Sequence, residues 1–116
     1  MSILISGSLA YDHIMDFPDS FKNHILPDQT HILNVTFVVE TVKKDFGGCA
    51  GNIAYTMQLL GGEPAILAPL GKDGKEYRAH CEAQKITTAY MPLSKKYMTA
   101  SAFITTDKDD NQICAF

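Results

Sequence analysis

Three glycines and an asparagine crowd the segment Phe46-Gly47-Gly48-Cys49-Ala50-Gly51-Asn52, at the entrance of a helical stretch. Glycine in that number means that the backbone bends tightly or lets another group come very close. Gly47-Gly48 leaves backbone amides unobstructed by side chains, and Asn52 adds a donor and an acceptor, a set that suits recognition of a hydroxyl. Taken alone, the run reads equally well as a plain glycine turn with Asn52 in the first turn of a helix. From Gly51 onward the period is helical. Ile53, Met57 and Leu60 recur on one stripe, Ala54 fills it, and Gly61-Gly62 ends it. The run therefore sits at a junction where a strand-like segment hands over to a helix.

The rest of the chain places that junction in an α/β fold. Ser2 to Ser6 is a short, nearly continuous apolar run ending at Gly7, the pattern of a strand buried on both faces of a parallel sheet. Ala65 to Leu70 is a second such strand, ending at Gly71. Two glycine-terminated strands separated by a helix read as βαβ elements. Asp73 is a candidate N-cap for a helix running to about Gln84, with Tyr77, His80, Cys81 and Ile86 facing inward. The remaining segments are of another kind. Ala10 to Phe17 reads as a strand stopped by Pro18. Asp19 to Thr30 reads as a polar loop. His31 to Lys43 is rich in β-branched and aromatic residues and predicts one long strand. Tyr97 to Thr106 and Gln112 to Phe116 predict a hairpin around the polar turn Asp107-Lys108-Asp109-Asp110-Asn111. These segments predict a separate antiparallel sheet.

Size and charge narrow the function classes. The chain has 116 residues, a hydrophobic content of 46% and a net charge of −3. It is one small domain or part of a larger one. The acidic balance argues against general nucleic-acid binding, which needs a basic stripe to displace counterions. Lys43-Lys44 and Lys95-Lys96 read as solvated pairs. Cys49, Cys81 and Cys114 are odd in number and widely spaced, so they suggest free thiols in a reducing cytoplasm rather than a zinc site or a disulfide framework. The four histidines have no metal-ligand spacing, and no metal site is expected. No secretory signal is visible, and no apolar run approaches the length of a membrane span.

Two further features bear on chemistry. Asp12 follows the Gly7-Ser8 turn that ends the first strand. Ligands in open α/β sheets bind beyond the carboxyl ends of strands, and a carboxylate there can accept from two neighbouring sugar hydroxyls; a turn-forming aspartate is the plainer alternative. Gly71-Lys72-Asp73-Gly74-Lys75 is not a phosphate-binding P-loop, because the G-x-x-x-x-G-K-[ST] spacing is missing, and it reads as a helix start. A dinucleotide-binding domain fits poorly too, since no G-x-G-x-x-G follows the first strand.

Gly7-Ser8 to Asp12, Phe46-Gly47-Gly48 to Asn52 and Ala54, Gly61-Gly62, and Leu70-Gly71-x-Asp73 to Tyr77 run in one order over the whole chain. The ensemble resembles the ribokinase-like (PfkB) family of sugar and nucleoside kinases. Leu26-Pro27, Gly48-x-Ala50-Gly51-Asn52, and Thr105-Thr106-Asp107 followed by Gln112 and Phe116 are similar to bacterial adenosine kinases within it. The resemblance implies that residues 1–116 are the N-terminal part of such a kinase. It implies an α/β core from about 1–9 and 47–92, a partial Rossmann-like domain, and a small β-sheet lid from about 10–46 and 93–116. It implies MgATP-dependent phosphorylation of a primary hydroxyl, most simply the 5′-hydroxyl of adenosine, with ATP and Mg2+ bound mainly outside this segment.

Carried over position by position, the resemblance has Asp12 hold two ribose hydroxyls, with Gly47, Gly48 and Asn52 completing the polar cradle. Ser8 lies at its floor and Thr36 lines it from the long strand. Phe116 offers an aromatic face to the purine, a place in the lid core being its plainer alternative, and Gln112 is a base contact. Ala102 departs from the pattern, standing where an aromatic partner for the base would be expected, while Phe103 next to it points to the other face. The family's second signature, a Gly-Ala-Gly-Asp segment whose aspartate takes the substrate proton, has no match in 1–116. No catalytic residue is therefore assigned, and the chain by itself is expected to be inactive. The partners expected are a small-molecule nucleoside or sugar, and a second copy or a missing C-terminal half through the lid sheet, with neither nucleic acid nor membrane. A ribokinase- or fructokinase-type sugar kinase and a non-enzymatic ligand-binding or oligomerisation module are the alternatives.

Overall fold

A computed structural model describes residues Ser2–Phe116. Its elements are β1 (Ser2–Ser6), β2 (Ala10–Asp16), β3 (Thr41–Gly47), α1 (Cys49–Leu59), β4 (Glu63–Leu67), α2 (Lys75–Ala83), β5 (Ala100–Thr106) and β6 (Gln112–Ala115). The expected α/β class is what the chain adopts. The chain divides into two compact units, one made of the segments up to Tyr11 and Phe46–Ser101, the other of Asp12–Asp45 and Ala102–Phe116.

In the first unit β1 and β4 pair in parallel, from Ser2 opposite Glu63 to Ser6 opposite Leu67. Ala65, within β4, also bridges to Thr87, and Leu70, beyond it, bridges to Leu93. Parallel pairing needs a long connection, and α1 lies on it. The core gathers Ile5, Leu9, Tyr11, Ala50, Ala54, Ile66, Leu70, Tyr77, Cys81, Ile86 and Met91. Tyr77, Cys81 and Ile86 face inward as the helical period predicts, and His80 is half-buried, stacked at 4.0 Å on Phe46.

Three expectations for this unit are corrected. β1 is not buried on both faces: Ile5 is, whereas Ile3 and Leu4 are 44% and 56% exposed. Among the described residues β1 pairs with β4 alone. α1 does not bury the Ile53–Met57–Leu60 stripe. It buries Ala50, Gly51 and Ala54 and leaves Ile53 and Leu60 exposed. The cause is closeness: a Cβ on Gly51 would lie 1.9 Å from the Tyr77 hydroxyl, so only the smallest side chains fit under the helix. Asp73 does not cap α2, whose N-cap is Gly74. Its Oδ1 accepts the Thr99 amide at 2.7 Å instead, and its carbonyl accepts the Tyr11 hydroxyl at 3.0 Å.

The four-stranded sheet, ordered β3-β2-β5-β6, supplies the second unit's strands. The predicted hairpin is present, antiparallel, with Phe103 opposite Ala115 and Thr106 opposite Gln112. The predicted long strand over 31–43 is not. Residues 33–39 are irregular, and the strand begins at Thr41 and runs on to Gly47. β-branched side chains favour a strand only where a pleated surface receives them. Here Ile32 and Val38 are 76% and 77% exposed, while Phe37 turns onto Phe17 and Phe21, each ring centroid 4.9 Å away.

Carboxylates organise this unit. The Asp107 carboxylate accepts amides from Phe21 (2.9 Å), Asp109 (3.0 Å) and Asn111 (2.9 Å), so one side chain builds the hairpin turn and anchors the segment after β2. Burial alone would raise its pKa, but those amides bring it below the usual carboxylate range. Asp19 is lowered further, first by the His24 ring at 2.8 Å, then by the Ser20 amide and the Asn23 side chain.

Candidate functional site

The glycine-rich run is a helix start whose cap comes from elsewhere in the chain. The first amides of any α-helix have no partner inside it. Gly48, the N-cap of α1, has no side chain to offer, and its φ of +89° is a conformation open mainly to glycine. A Cβ there would also lie 2.4 Å from the Ser8 carbonyl oxygen. Ser8, just beyond the carboxyl end of β1, supplies what Gly48 lacks. Its Oγ accepts the Cys49 amide at 3.1 Å and its carbonyl accepts the Ala50 amide at 3.1 Å. Its own amide donates to Cys49 Sγ at 3.3 Å, and the hydroxyl and thiol share a further hydrogen bond of 3.3 Å.

These contacts leave the Cys49 thiol below its ordinary pKa, first through the Ser8 hydroxyl and then through the Ser8 amide. Cys81, in contrast, is pushed up to about 11 by burial and by the charge of Glu82. The turn is closed from below by Tyr77, whose hydroxyl donates to the Gly47 carbonyl at 2.6 Å. Asn52, in the first turn of α1, has its backbone amide bonded to the Gly48 carbonyl and is exposed.

Beside this turn, in the same unit, lies a hollow of about 300 Å³ at the carboxyl ends of β1 and β4, lined by Ser8, Leu9, Leu70, Gly71, Tyr97 and Thr99 among others. Such ends are where open α/β sheets hold ligands. Thr99 is buried and fixed: its Oγ1 accepts the Gly71 amide at 2.9 Å while its own amide donates to Asp73.

The candidate residues fall into two sets. Ser8, Gly47, Gly48 and Asn52 belong to the first unit, and Asp12, Thr36, Gln112 and Phe116 to the second. Within the first, the chain fold brings all four to one turn. Within the second, the pleat decides. His13 and Phe103 stack with ring centroids 4.7 Å apart and so share a face. Alternation puts Asp12 and Ala102 on the opposite face, and the hairpin register places Gln112 there too. Thr36 is not on a strand but in the irregular, exposed segment, and Phe116, past the end of β6, is 97% exposed. Among the described residues no helix is long and apolar enough to cross a membrane.

Two contributions escaped the sequence reading. Ser8 as a cap for a helix forty-one positions later has no local signal. The Tyr11 hydroxyl donates to the Asp73 carbonyl and accepts the Tyr77 amide at 3.2 Å, a contact between residues sixty-six positions apart that leaves no spacing to read.

The profile of the pfkB family of carbohydrate kinases matches residues 9–116. The chain belongs to that family. Among characterised relatives, the nucleoside kinase of Methanothermobacter thermautotrophicus is 29% identical over 119 residues, covering 98% of this chain and 34% of its own. Among solved structures, the nucleoside kinase of Burkholderia thailandensis in complex with inosine superposes with a TM-score of 0.82 at 42% identity, covering 100% of this chain and 36% of that one. The same enzyme in complex with ADP-inosine gives 0.72 at 46% identity, covering 100% and 36%. The pfkB chain described here thus spans about a third of the length of the relatives it matches. The fold is ribokinase-like, as expected, and the glycine-rich turn falls within the part of the family that the match covers.

Proposed function

We propose that this chain is the acceptor-binding part of an ATP-dependent nucleoside kinase that phosphorylates the 5′-hydroxyl of adenosine. The observation that supports it most is the Gly47–Asn52 turn. A strained glycine start to α1 is held at the carboxyl end of a parallel strand, with Asn52 exposed in the first helical turn. The likeness to nucleoside kinases over nearly the whole chain supports a nucleoside rather than a simple sugar. In this reading the Gly48 amide and Asn52 bind ribose hydroxyls from the first unit, beside Gly47 and Ser8. Asp12 accepts two hydroxyl hydrogen bonds from the second, Thr36 lines the same cradle, and Gln112 and Phe116 meet the base. ATP supplies the phosphoryl group and Mg2+ the charge neutralisation such transfer needs, both held by parts of the kinase beyond the family segment present here. Ile3, Leu4, Ile53, Leu60 and Leu67, exposed in the first unit, are then covered by the remaining strands and helices of the kinase, and the edge strands β3 and β6 pair with a second copy.

Calorimetric titration of the chain with adenosine, inosine and ribose tests the reading. Nucleosides are expected to bind at least about tenfold more tightly than ribose, a difference of about 1.4 kcal/mol. Asp12→Asn should weaken all three. Ala102, buried where an aromatic base partner would otherwise stand, favours a second reading as a ribokinase- or fructokinase-type enzyme; equal affinity for ribose and nucleosides would select it. No binding of any of the three, together with self-association in sedimentation velocity, would leave an oligomerisation module.

A further inference from the structure

We propose that Ser8 is a positioning residue: locked to Cys49, it serves as the missing N-cap of α1 and sets where Gly48 and Asn52 are presented. The inference rests on the acceptor-turn reading only for its functional consequence, since the geometry stands without it.

Four hydrogen bonds join Ser8 to the first turn of α1. The hydroxyl takes the Cys49 amide, the carbonyl takes the Ala50 amide, the Ser8 amide reaches Cys49 Sγ, and hydroxyl and thiol share the fourth. The hydroxyl accepts one hydrogen bond and shares a second with the thiol, so two of its three hydrogen-bonding positions are engaged by the start of α1. The two segments also lie in close contact. A Cβ on Gly7 would lie 2.7 Å from Cys49 Sγ, and a Cβ on Gly48 would lie 2.7 Å from Leu9 Cα. A helix start this close to the strand end cannot shift alone. The Gly48 carbonyl accepts the Asn52 amide at 3.0 Å, so a displacement of Gly48 is passed directly to Asn52. Ser8, Gly48 and Asn52 then form one mechanical chain: cap, strained turn, ligand-facing side chain. The lowered pKa of Cys49 is a by-product of the same clasp and gives it a reporter.

The test compares the chain with Ser8→Ala and Ser8→Thr by amide NMR, by the pH profile of Cys49 alkylation read by mass spectrometry against Cys114, and by inosine titration. Ser8→Ala should shift the Gly48, Ala50 and Asn52 amide signals, leave α2 unchanged, and move the Cys49 alkylation profile to higher pH. It should weaken inosine binding about three- to thirtyfold, the range that loss of a helix cap carries. Ser8→Thr, which keeps the hydroxyl, should restore all of these. Shifts confined to residues 7–9 and 49, or inosine affinity unchanged by Ser8→Ala, would overturn the proposal. If the parent chain binds no inosine while Ser8→Ala still moves Gly48 and Asn52, the acceptor reading fails and the positioning role holds. Should Ser8→Ala not fold, Cys49→Ala removes the thiol half of the clasp, and an unmoved Asn52 signal there would count against the proposal.

Discussion

The two units are held together by different physics. The first is a packed core, with Ile66, Ala50, Ala54 and Met91 fully buried and Tyr11 and Tyr77 buried among them. Its side-chain hydrogen bonds mostly reach a distant backbone group: Tyr77 to Gly47, Thr99 to Gly71, Asp73 to Thr99. The second has a small aromatic centre of Phe17, Phe21 and Phe37, and around it two carboxylates, Asp19 and Asp107, that collect amides, a histidine and a lysine. A packed unit should be sensitive to volume and indifferent to mild acid. A unit knotted by carboxylates should be the reverse. The difference teaches that the glycine-rich turn draws its precision from close packing and the strand bearing Asp12 from a charged hairpin.

The strongest challenge to the first half of that comparison is Gly71→Ala. A Cβ there would stand 2.0 Å from the Thr99 amide nitrogen and 2.1 Å from the Met98 carbonyl carbon. These are backbone atoms, which cannot rotate away. Overpacking of this kind costs about 3 kcal/mol, and urea denaturation should show the loss in signals of the first unit. A change below about 0.5 kcal/mol, the level of an ordinary surface substitution, would mean that this core is far more yielding than its contacts suggest.

Acid challenges the second half. Asp19 and Asp107 both have folded-state pKa values below the unfolded value. Their contribution is therefore complete above pH of about 4, the unfolded carboxylate range, and is lost as pH falls through the folded values. The hairpin signals of Phe103 to Gln112 should broaden or shift on acidification before those of Ile66 and Met91 do. Asp107→Asn should lower the second unit's melting temperature at pH 7 and flatten its acid dependence. Simultaneous acid loss in both units would erase the distinction.

Much of this architecture was legible, and the failures share a cause. The hairpin was readable because Asp107 to Asn111 is dense in turn formers, and the structure shows why Asp107 in particular stands there. The parallel strands ending at Gly7 and near Gly71 were readable because short apolar runs ending in glycine have few other uses. What failed depended on neighbours distant in sequence. A helical stripe of Ile53, Met57 and Leu60 looks like an inward face until Tyr77 brings its hydroxyl under Gly51. Residues 32–39 look like a strand until no pleated partner receives Ile32 and Val38. Asp73 looks like a cap until Thr99 claims it. For the site, the glycines and Asn52 were legible as a turn, whereas the role of Ser8 was not, because a hydroxyl capping a helix in another part of the chain leaves no spacing to read.

Tyr77→Phe sharpens the comparison inside the first unit. It deletes one oxygen and leaves the packing of the ring against Phe46 and Tyr11 in place. The buried Gly47 carbonyl then loses its donor, and an unsatisfied buried acceptor costs about 1–3 kcal/mol. The loss should be accompanied by weaker nucleoside binding if Gly47 begins the acceptor turn as proposed. An unchanged denaturation midpoint would show that water replaces the hydroxyl and that the turn stands without it.

The smallest effect is expected in the second unit, at Phe103→Ala. Phe103 is 48% exposed and stacks on His13 at 4.7 Å with the rings 7° from parallel. Losing such a pair on an open sheet face costs about 0.5–1.5 kcal/mol. Its informative feature is what should not change. Phe103 stands on the face opposite Asp12, Ala102 and Gln112, so its removal should leave nucleoside affinity within about twofold, less than 0.5 kcal/mol. Ala102→Phe, one residue earlier and on the other face, should alter affinity strongly in either direction while changing the stack little. If instead Phe103→Ala weakens binding more than Ala102→Phe changes it, then the face assignment of Asp12 and Gln112 drawn from the strand register is wrong, and the proposed acceptor site must be rebuilt around His13 and Phe103.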